Sequence, residues 1–295
     1  MIRIKKNLYY YFWLCRSYKL RRKFPAFDIL NTSETISHII KNRKSISRFG
    51  DGEFRLLLQE RDIYFQALTI DLALRLREVL ASNVPNLLIA IPGTFTSVKN
   101  IKHASKVHWI NFINLYGEKL TPYLRLDKTY GDSLISRFYM DCKNKSKVEN
   151  TVQQLKRIWE SEDVLFVEGE LSRLGIGNDL FNNAKSVERI ICPSENAYAS
   201  YEEILHNVKK FGKSKLIILA LGPTATILAH DLAKENFWAL DLGHIDIEYL
   251  WYKMKATEKI PVGNKKSAEV SEDSNFELSE SENITYQTSI IFKIR

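Results

Sequence analysis

Short apolar runs, each stopped by a glycine or proline, set the strongest limit on how this chain can fold. Asn86 to Ile91 is closed by Pro92-Gly93, and Val187 to Cys192 by Pro193. Leu216 to Leu221 is closed by Gly222-Pro223, and Phe237 to Leu242 by Gly243. Val164 to Val167 and Ser45 to Phe49 read the same way, each running straight into a glycine-bearing turn. Runs this short and this apolar suit strands buried on both faces. Between them lie stretches with helical spacing: Asn31-Thr32-Ser33 capping a helix to Asn42, then Phe54 to Gln59, Ile70 to Leu80, Tyr201 to Lys209 and Thr224 to Lys234. The alternation predicts an α/β fold, a mostly parallel sheet with helices on both faces.

Val98 to Glu160 breaks the pattern. Val98 to Tyr116 and Thr151 to Glu160 look helical, with a polar region from Asp141 to Asn150 between them, so residues 98–160 read as a helical insertion. Residues 31–263 form the expected main domain. Lys265 to Glu282 is rich in Ser, Asn and Glu, so residues 264–295 read as a polar tail with a late strand or free end at Ile284 to Ile294.

Residues 1–30 are the basic aromatic N-terminal segment. Met1 to Phe24 carries eight Lys or Arg and no acid, around an apolar stretch from Leu8 to Cys15. That stretch is far shorter than the roughly 20 residues of a spanning helix, and it lacks the small-residue site of a cleaved leader. Its Tyr, Trp and basic groups suit either peripheral contact with a membrane face or a basic helix packed on the domain. The expected location is cytoplasmic, with that contact at the inner membrane face. Cys15, Cys142 and Cys192 are widely separated, which argues against a thiolate zinc site.

In an open parallel sheet, ligands gather beyond the carboxyl ends of the strands, so the strand-to-helix turns carry the chemistry. Four turns stand out. In Arg48-Phe49-Gly50-Asp51-Gly52-Glu53, Gly50 and Gly52 allow close approach. Asp51 and Glu53 are oxygen ligands suited to Mg or Mn, and Arg48 can meet phosphate or pair with one of the acids. The bland alternative is a glycine turn with a capping aspartate.

The second turn, Glu168 to Asp179, offers Arg173, Gly175, Gly177, Asn178 and Asp179 for a diphosphate. Its spacing is neither that of a dinucleotide loop nor that of a Walker loop. A polar loop with Arg173 paired to Glu168 or Glu170 explains it equally well. In the third, Gly222 permits close approach and Thr224 heads a helix. In the fourth, Asp241 to Glu248, the outcome depends on backbone. Extended, His244, Asp246 and Glu248 share a face and can hold metal or act as bases; helical, Asp246 and Glu248 diverge.

Taken together, Arg48 to Glu53, Ser172 to Phe181, Leu221 to Thr226 and Gly243 to Tyr249 resemble the bacterial glycosyltransferases of the GT-D fold, formerly a domain of unknown function. That family is linked to glycosylation of surface adhesins and to surface-polysaccharide gene clusters. The similarity runs from about Ser33 to Gly263. It implies a Rossmann-like sheet binding a UDP-sugar with a divalent cation, Mn or Mg, and transfer to a glycan, glycoprotein or lipid-linked acceptor. It also implies an Asp-x-Glu motif at the metal, for which Asp51-Gly52-Glu53 and Asp246-Ile247-Glu248 both qualify. The metal set is then Asp51, Glu53, Asp246 and Glu248, with His244, Asp246 and Glu53 as candidate bases. The donor set is Arg48, Gly50, Gly52, Arg173, Gly175, Gly177, Asn178, Asp179, Gly222 and Thr224.

Two rival functions share some of these features. A metal-dependent phosphatase or nucleotide hydrolase needs the same carboxylates. A nucleic-acid-binding protein would use the net charge of +8 and the 12% aromatic content. The scattered lysines and clustered acids argue against the latter, and no nucleic acid is expected.

Overall fold

The computed structural model describes residues 24–262, 264–266 and 277–294. The basic stretch from Met1 to Lys23, with its expected membrane contact, lies outside the described residues.

Nine strands form one sheet in the order β1-β4-β3-β2-β8-β7-β5-β6-β9. They are β1 (Asp28–Ile29), β2 (Ser45–Arg48), β3 (Leu87–Ile91), β4 (Thr129–Asp132), β5 (Asp163–Gly169), β6 (Ser186–Cys192), β7 (Leu216–Ala220), β8 (Trp238–Asp241) and β9 (Ile290–Lys293). Every strand pair in the sheet is parallel. All carboxyl ends therefore open on one edge.

The strands alternate strictly between two cores. Leu165, Val167, Ile217 and Leu219 point to one face. Val164, Phe166, Leu216 and Ile218 point to the other. The first face is covered by α2 (Asp51–Leu57), α3 (Ile70–Ala81), α4 (His103–Leu120), α6 (Tyr201–Phe211) and α7 (Pro223–Lys234). The second is covered by α1 (Thr32–Asn42), α5 (Val148–Lys156) and α8 (Ile245–Lys253). Burial on both sides is why these strands read as unbroken apolar runs. At the head of α1, the Asn31 side chain accepts from Glu34 N at 3.1 Å, and Glu34 accepts from Asn31 N at 2.8 Å, a reciprocal cap.

Three boundaries differ from the sequence expectation. Residues 98–160 are not a helical insertion, because β4 lies inside them and pairs with both β3 and β1. Its four residues, Thr-Tyr-Gly-Asp, carry one large apolar side chain, too little for a hydrophobic pattern to register. β1 belongs to the sheet rather than to a separate N-terminal segment. In the C-terminal region the late-strand alternative holds, but an unexpected helix precedes it: α9 (Glu280–Ser289) leads into β9, which pairs with β6 at the sheet edge.

β2 and β8 meet at Ile46 and Leu240. The helix after β2 lies on the first face and the helix after β8 on the second. The chain thus splits apart above this junction and leaves a crevice.

Candidate active site

A cleft of about 470 Å³ opens at that junction, a size suited to a small-molecule substrate. Arg48, Gly50, Asp51, Gly52, Glu53, Gly222, His244 and Asp246 all line it. These expected site residues come from turns far apart in sequence, and the fold brings them together.

Arg48 sits at the centre. Its Nε donates to the Asp241 carbonyl and its Nη2 to Asp241 Oδ1 at 3.0 Å. Nη1 reaches Ser133 O at 3.0 Å and Ser136 Oγ at 2.6 Å. The expectation of a phosphate-gripping arginine is therefore corrected: the guanidinium is spent on clamping β2, β8 and the turn after β4.

Asp51 stands at the rim, its side chain 37% exposed, 3.2 Å from Arg55 Nη2 and 3.5 Å from His108 Nε2. Burial pushes its carboxyl up, but the His108 hydrogen bond and the charges of His108, Arg55 and Arg137 outweigh it and leave the pKa lowered. Glu53 accepts from Gly50 N at 2.8 Å, closing the first turn of α2. Burial, and then the negative charge of Asp241, raise its pKa to about 7. Two carboxyls in one turn are thus pushed in opposite directions, Asp51 down and Glu53 up.

The fourth turn is helical, so Asp246 and Glu248 diverge. Glu248 does not line the cleft. Its Oε2 accepts from Tyr139 N at 2.9 Å and Met140 N at 2.8 Å, and burial raises its pKa to about 7. It is a buried brace for the segment after β4, not a companion of Asp246 at a metal. Asp246 lies on the cleft wall but is fully engaged. Oδ1 accepts from Gly175 N at 2.8 Å and Asn178 Nδ2 at 2.9 Å, and Oδ2 receives the buried Lys265 ammonium. Both oxygens of Asp246 are thus held by protein donors.

The glycine-rich turn supplies less of the wall than its composition suggests. Gly169, Leu171, Ser172 and Leu174 line the cleft, whereas Arg173, Gly175, Gly177, Asn178 and Asp179 do not. Arg173 Nη1 bonds Asn264 O at 2.7 Å. Gly177 has φ +73°, and a Cβ there would strike Glu282. Asp179 is held by Tyr249, Lys156 and Lys253; burial opposes them, yet its pKa falls to about 2. Arg173 and Gly177 thus face the C-terminal region, whereas Asp179 ties the loop to α5 and α8.

Gly222 has φ +54° and caps α7 beside the Phe65 ring, which a Cβ would strike. Thr224 is fully buried behind it and does not reach the cleft. The first turns of α7 and α8 both abut the cleft, at Gly222 and at His244. Helix N-termini carry partial positive charge and free N–H groups, so the pair favours an anion.

Several wall residues escaped the sequence reading. Ser133, Leu134 and Arg137 follow the unrecognised β4. Asp241 lies inside the apolar run Phe237 to Leu242 and heads the fourth turn, where the sequence assigns it no role of its own. Tyr64, Phe65 and Gln66 form a short turn fastened by Asn196, whose N donates to Phe65 O at 2.8 Å. Lys266 comes from the supposed tail, and its Nζ meets Glu195 at 2.9 Å. A polar residue in a low-complexity stretch gives no periodic signal.

Among the described residues, no three His, Cys, Asp or Glu side chains converge as a ready-made metal cage. Asp51 and Glu53 remain as a pair. Glu53 is disfavoured as an anion first by burial and then by neighbouring Asp241, and added positive charge there is stabilising, so the residues present fit a hard cation.

Comparisons with known proteins identify the family. A family model for the glycosyltransferase GT-D fold matches residues 46–270. A probable glycosyl transferase of Streptococcus gordonii is 36% identical over 267 residues, 90% of this chain and 38% of that protein. A glycosyltransferase of Streptococcus pneumoniae is 34% identical over 280 residues, 93% of this chain and 33% of that protein. The chain thus spans 33–38% of the length of these curated relatives. A solved domain of unknown function 1792, described as having a distinct glycosyltransferase fold, superposes with a TM-score of 0.88 at 37% identity, covering 95% of this chain and 100% of that one. A glycosyltransferase from Streptococcus sanguinis gives 0.86 at 35% identity, covering 91% and 100%. This chain belongs to the GT-D glycosyltransferase family.

Proposed function

We propose that this family member transfers a sugar from a UDP-sugar to a hydroxyl of a glycan, glycoprotein or lipid-linked acceptor, with a divalent cation at Asp51 and Glu53. The observation that carries the reading is the convergence of two helix N-termini and the Asp51–Glu53 turn on one cleft, at the β2–β8 junction where the following helices part to opposite faces. Donor phosphates are held by the α7 and α8 starts, with Arg137 and Lys266 adding positive charge along the wall. A bound Mn or Mg would supply charge neutralisation for the departing diphosphate. The acceptor oxygen bonds to the anomeric carbon as the sugar–phosphate oxygen bond breaks. His244, at the head of α8 and on the cleft wall, takes the acceptor's proton where the anomer inverts. Phe65 and Trp109 on the walls keep water from competing with the acceptor.

A panel of UDP-, GDP- and dTDP-sugars, with and without Mn, tests donor class and cation need together. Binding confined to UDP-sugars and strengthened by Mn is expected; equal binding of all three without Mn would end this reading. Product analysis with and without acceptor separates transfer from hydrolysis, since a phosphatase releases its products at the same rate in both.

No described helix is long and apolar enough to cross a membrane. The basic stretch at residues 1–23 is proposed to bring a cytoplasmic enzyme to anionic lipid. Its deletion should reduce pelleting with phosphatidylserine vesicles, and unchanged pelleting removes the idea.

A further inference from the structure

A second groove, of about 380 Å³, lies along the outer face of α4. Its floor is His108, Asn111, Phe112, Leu115 and Tyr116. These positions follow i, i+3, i+4, i+7 and i+8, one stripe of a helix. The stripe alternates in chemistry: two polar side chains lie at the end nearest the cleft, and apolar or aromatic ones beyond. Leu115 is 63% exposed, though α4 is otherwise well packed through Trp109, Ile110, Phe112 and Ile113. Glu60 and Arg61, from the turn after α2, form the opposite wall. Glu60 is held by Lys119.

The groove adjoins the donor cleft. Arg55 lines both, and His108 lies 3.5 Å from Asp51 at the rim between them. His108 also packs edge-on against Trp109, a cleft-wall residue, at 5.2 Å between ring centroids. A molecule lying along α4 would therefore present its end to the Asp51 rim. Transfer requires two substrates in adjoining sites, oriented toward each other. A trough with an aromatic and aliphatic floor and charged walls matches a sugar chain, whose ring C–H faces are apolar and whose edges carry hydroxyls.

We propose that this groove is the acceptor site, taking a carbohydrate chain that lies along α4 with its reactive hydroxyl at the Asp51–His108 rim. The proposal rests on the transferase reading above and names that enzyme's second substrate site. Asn111 and Arg61 bond the hydroxyls, and Leu115 and Tyr116 carry the ring faces. None of these four lines the donor cleft.

The test uses the full chain with UDP-glucose, UDP-galactose and UDP-N-acetylglucosamine, Mn, and p-nitrophenyl mono- and disaccharide glycosides as acceptors. Transfer is read by mass shift of the acceptor, and donor hydrolysis by UDP release without acceptor. Tyr116→Ala and Asn111→Ala should each raise acceptor KM roughly fivefold or more, leaving donor KM and hydrolysis unchanged, and Tyr116→Phe should restore most of the loss. Disaccharide acceptors should suffer more than monosaccharides. Unchanged acceptor KM in both alanine variants, while wild type transfers, overturns the groove and leaves the transferase reading standing. The same kinetic result with an altered sedimentation mass makes the groove a contact between copies and likewise overturns it. Absence of transfer and of UDP release by wild type with every donor overturns the transferase reading itself, and the groove's assignment with it.

Discussion

The Arg48 guanidinium lies 3.0 Å from the Asp241 carboxylate, tying together the carboxyl ends of β2 and β8, which are 193 positions apart in sequence. Both side chains are nearly buried, and the same guanidinium bonds Ser133 O and Ser136 Oγ. Arg48→Lys keeps the charge but cannot reproduce a planar fork reaching three segments. It should lower stability by about 2–4 kcal/mol and reduce turnover together with it, measured by urea unfolding and a donor-turnover assay. Wild-type stability in Arg48→Lys would show that the clamp is dispensable.

Asp246 and Lys265 form a second buried pair, with side chains 2% and 1% exposed. Sequence alone suggests that Asp246→Ala abolishes activity and spares the fold; the structure reverses the second half. Removing the carboxylate strands a buried ammonium and frees the amides of Gly175 and Asn178. Asp246→Ala and Lys265→Ala should each cost about 3–5 kcal/mol, and the double variant should cost less than their sum. Additive losses in a double-mutant cycle would argue that the two groups do not act as a pair.

Asp51 is the carboxylate whose loss should separate chemistry from stability. It is exposed at the rim, and its partners Arg55 and His108 also reach water. Asp51→Ala should shift the melting temperature little, since exposed ion pairs contribute about 0–1 kcal/mol, while cutting turnover on the order of 100-fold. A cation titration gives the second readout: wild type should show tighter Mn binding in the presence of UDP than Asp51→Ala does. Equal Mn affinity would move the cation elsewhere.

Gly222 is held at φ +54° with the Phe65 ring where a Cβ would stand. Gly222→Ala therefore adds both backbone strain and a clash, together on the order of 1–3 kcal/mol. Relief by displacing Phe65 would disturb the cleft wall directly. Raised donor KM, more than lowered kcat, is the expected signature; an unchanged donor KM would mean that the Phe65 turn lies outside the donor's reach.

Much of this architecture is legible from residue order because buried parallel strands write themselves as continuous apolar runs. Ile217 and Leu219 feed one core and Leu216 and Ile218 the other, so nothing interrupts the pattern. β4 and β1 are invisible for the opposite reason: these short pieces carry little apolar pattern and owe their conformation to their neighbours, β4 to β3 and β1 to β4. At the site, the Arg48–Glu53 turn and Gly222 are found from glycine placement, since backbone approach demands it. Which carboxylates face the ligand is settled by helix phase, and one step of backbone conformation at Ile245 sends Glu248 into the interior. Lys265 and Lys266 come from a stretch whose composition looks unstructured, and their positions follow from Asp246 and Glu195, partners that no local pattern reveals.

Glu248 offers a test that does not depend on substrate. It is fully buried at the start of α8, bonded to the amides of Tyr139 and Met140, with its pKa raised from 4.5 to about 7 chiefly by burial. A carboxyl with a raised folded-state pKa favours its neutral form on folding. Its contribution to stability is therefore full below the unfolded value and is lost as pH climbs through 7. Glu248→Gln keeps an acceptor for the two amides and carries no charge. It should match wild type near pH 5 and exceed it at pH 8 by about 2 kcal/mol. Glu248→Ala leaves both amides unsatisfied and should be destabilised at either pH. Urea unfolding at the two pH values reads all three proteins; a glutamine variant weaker than wild type at pH 8 would mean that the ionised carboxylate is the form the fold prefers.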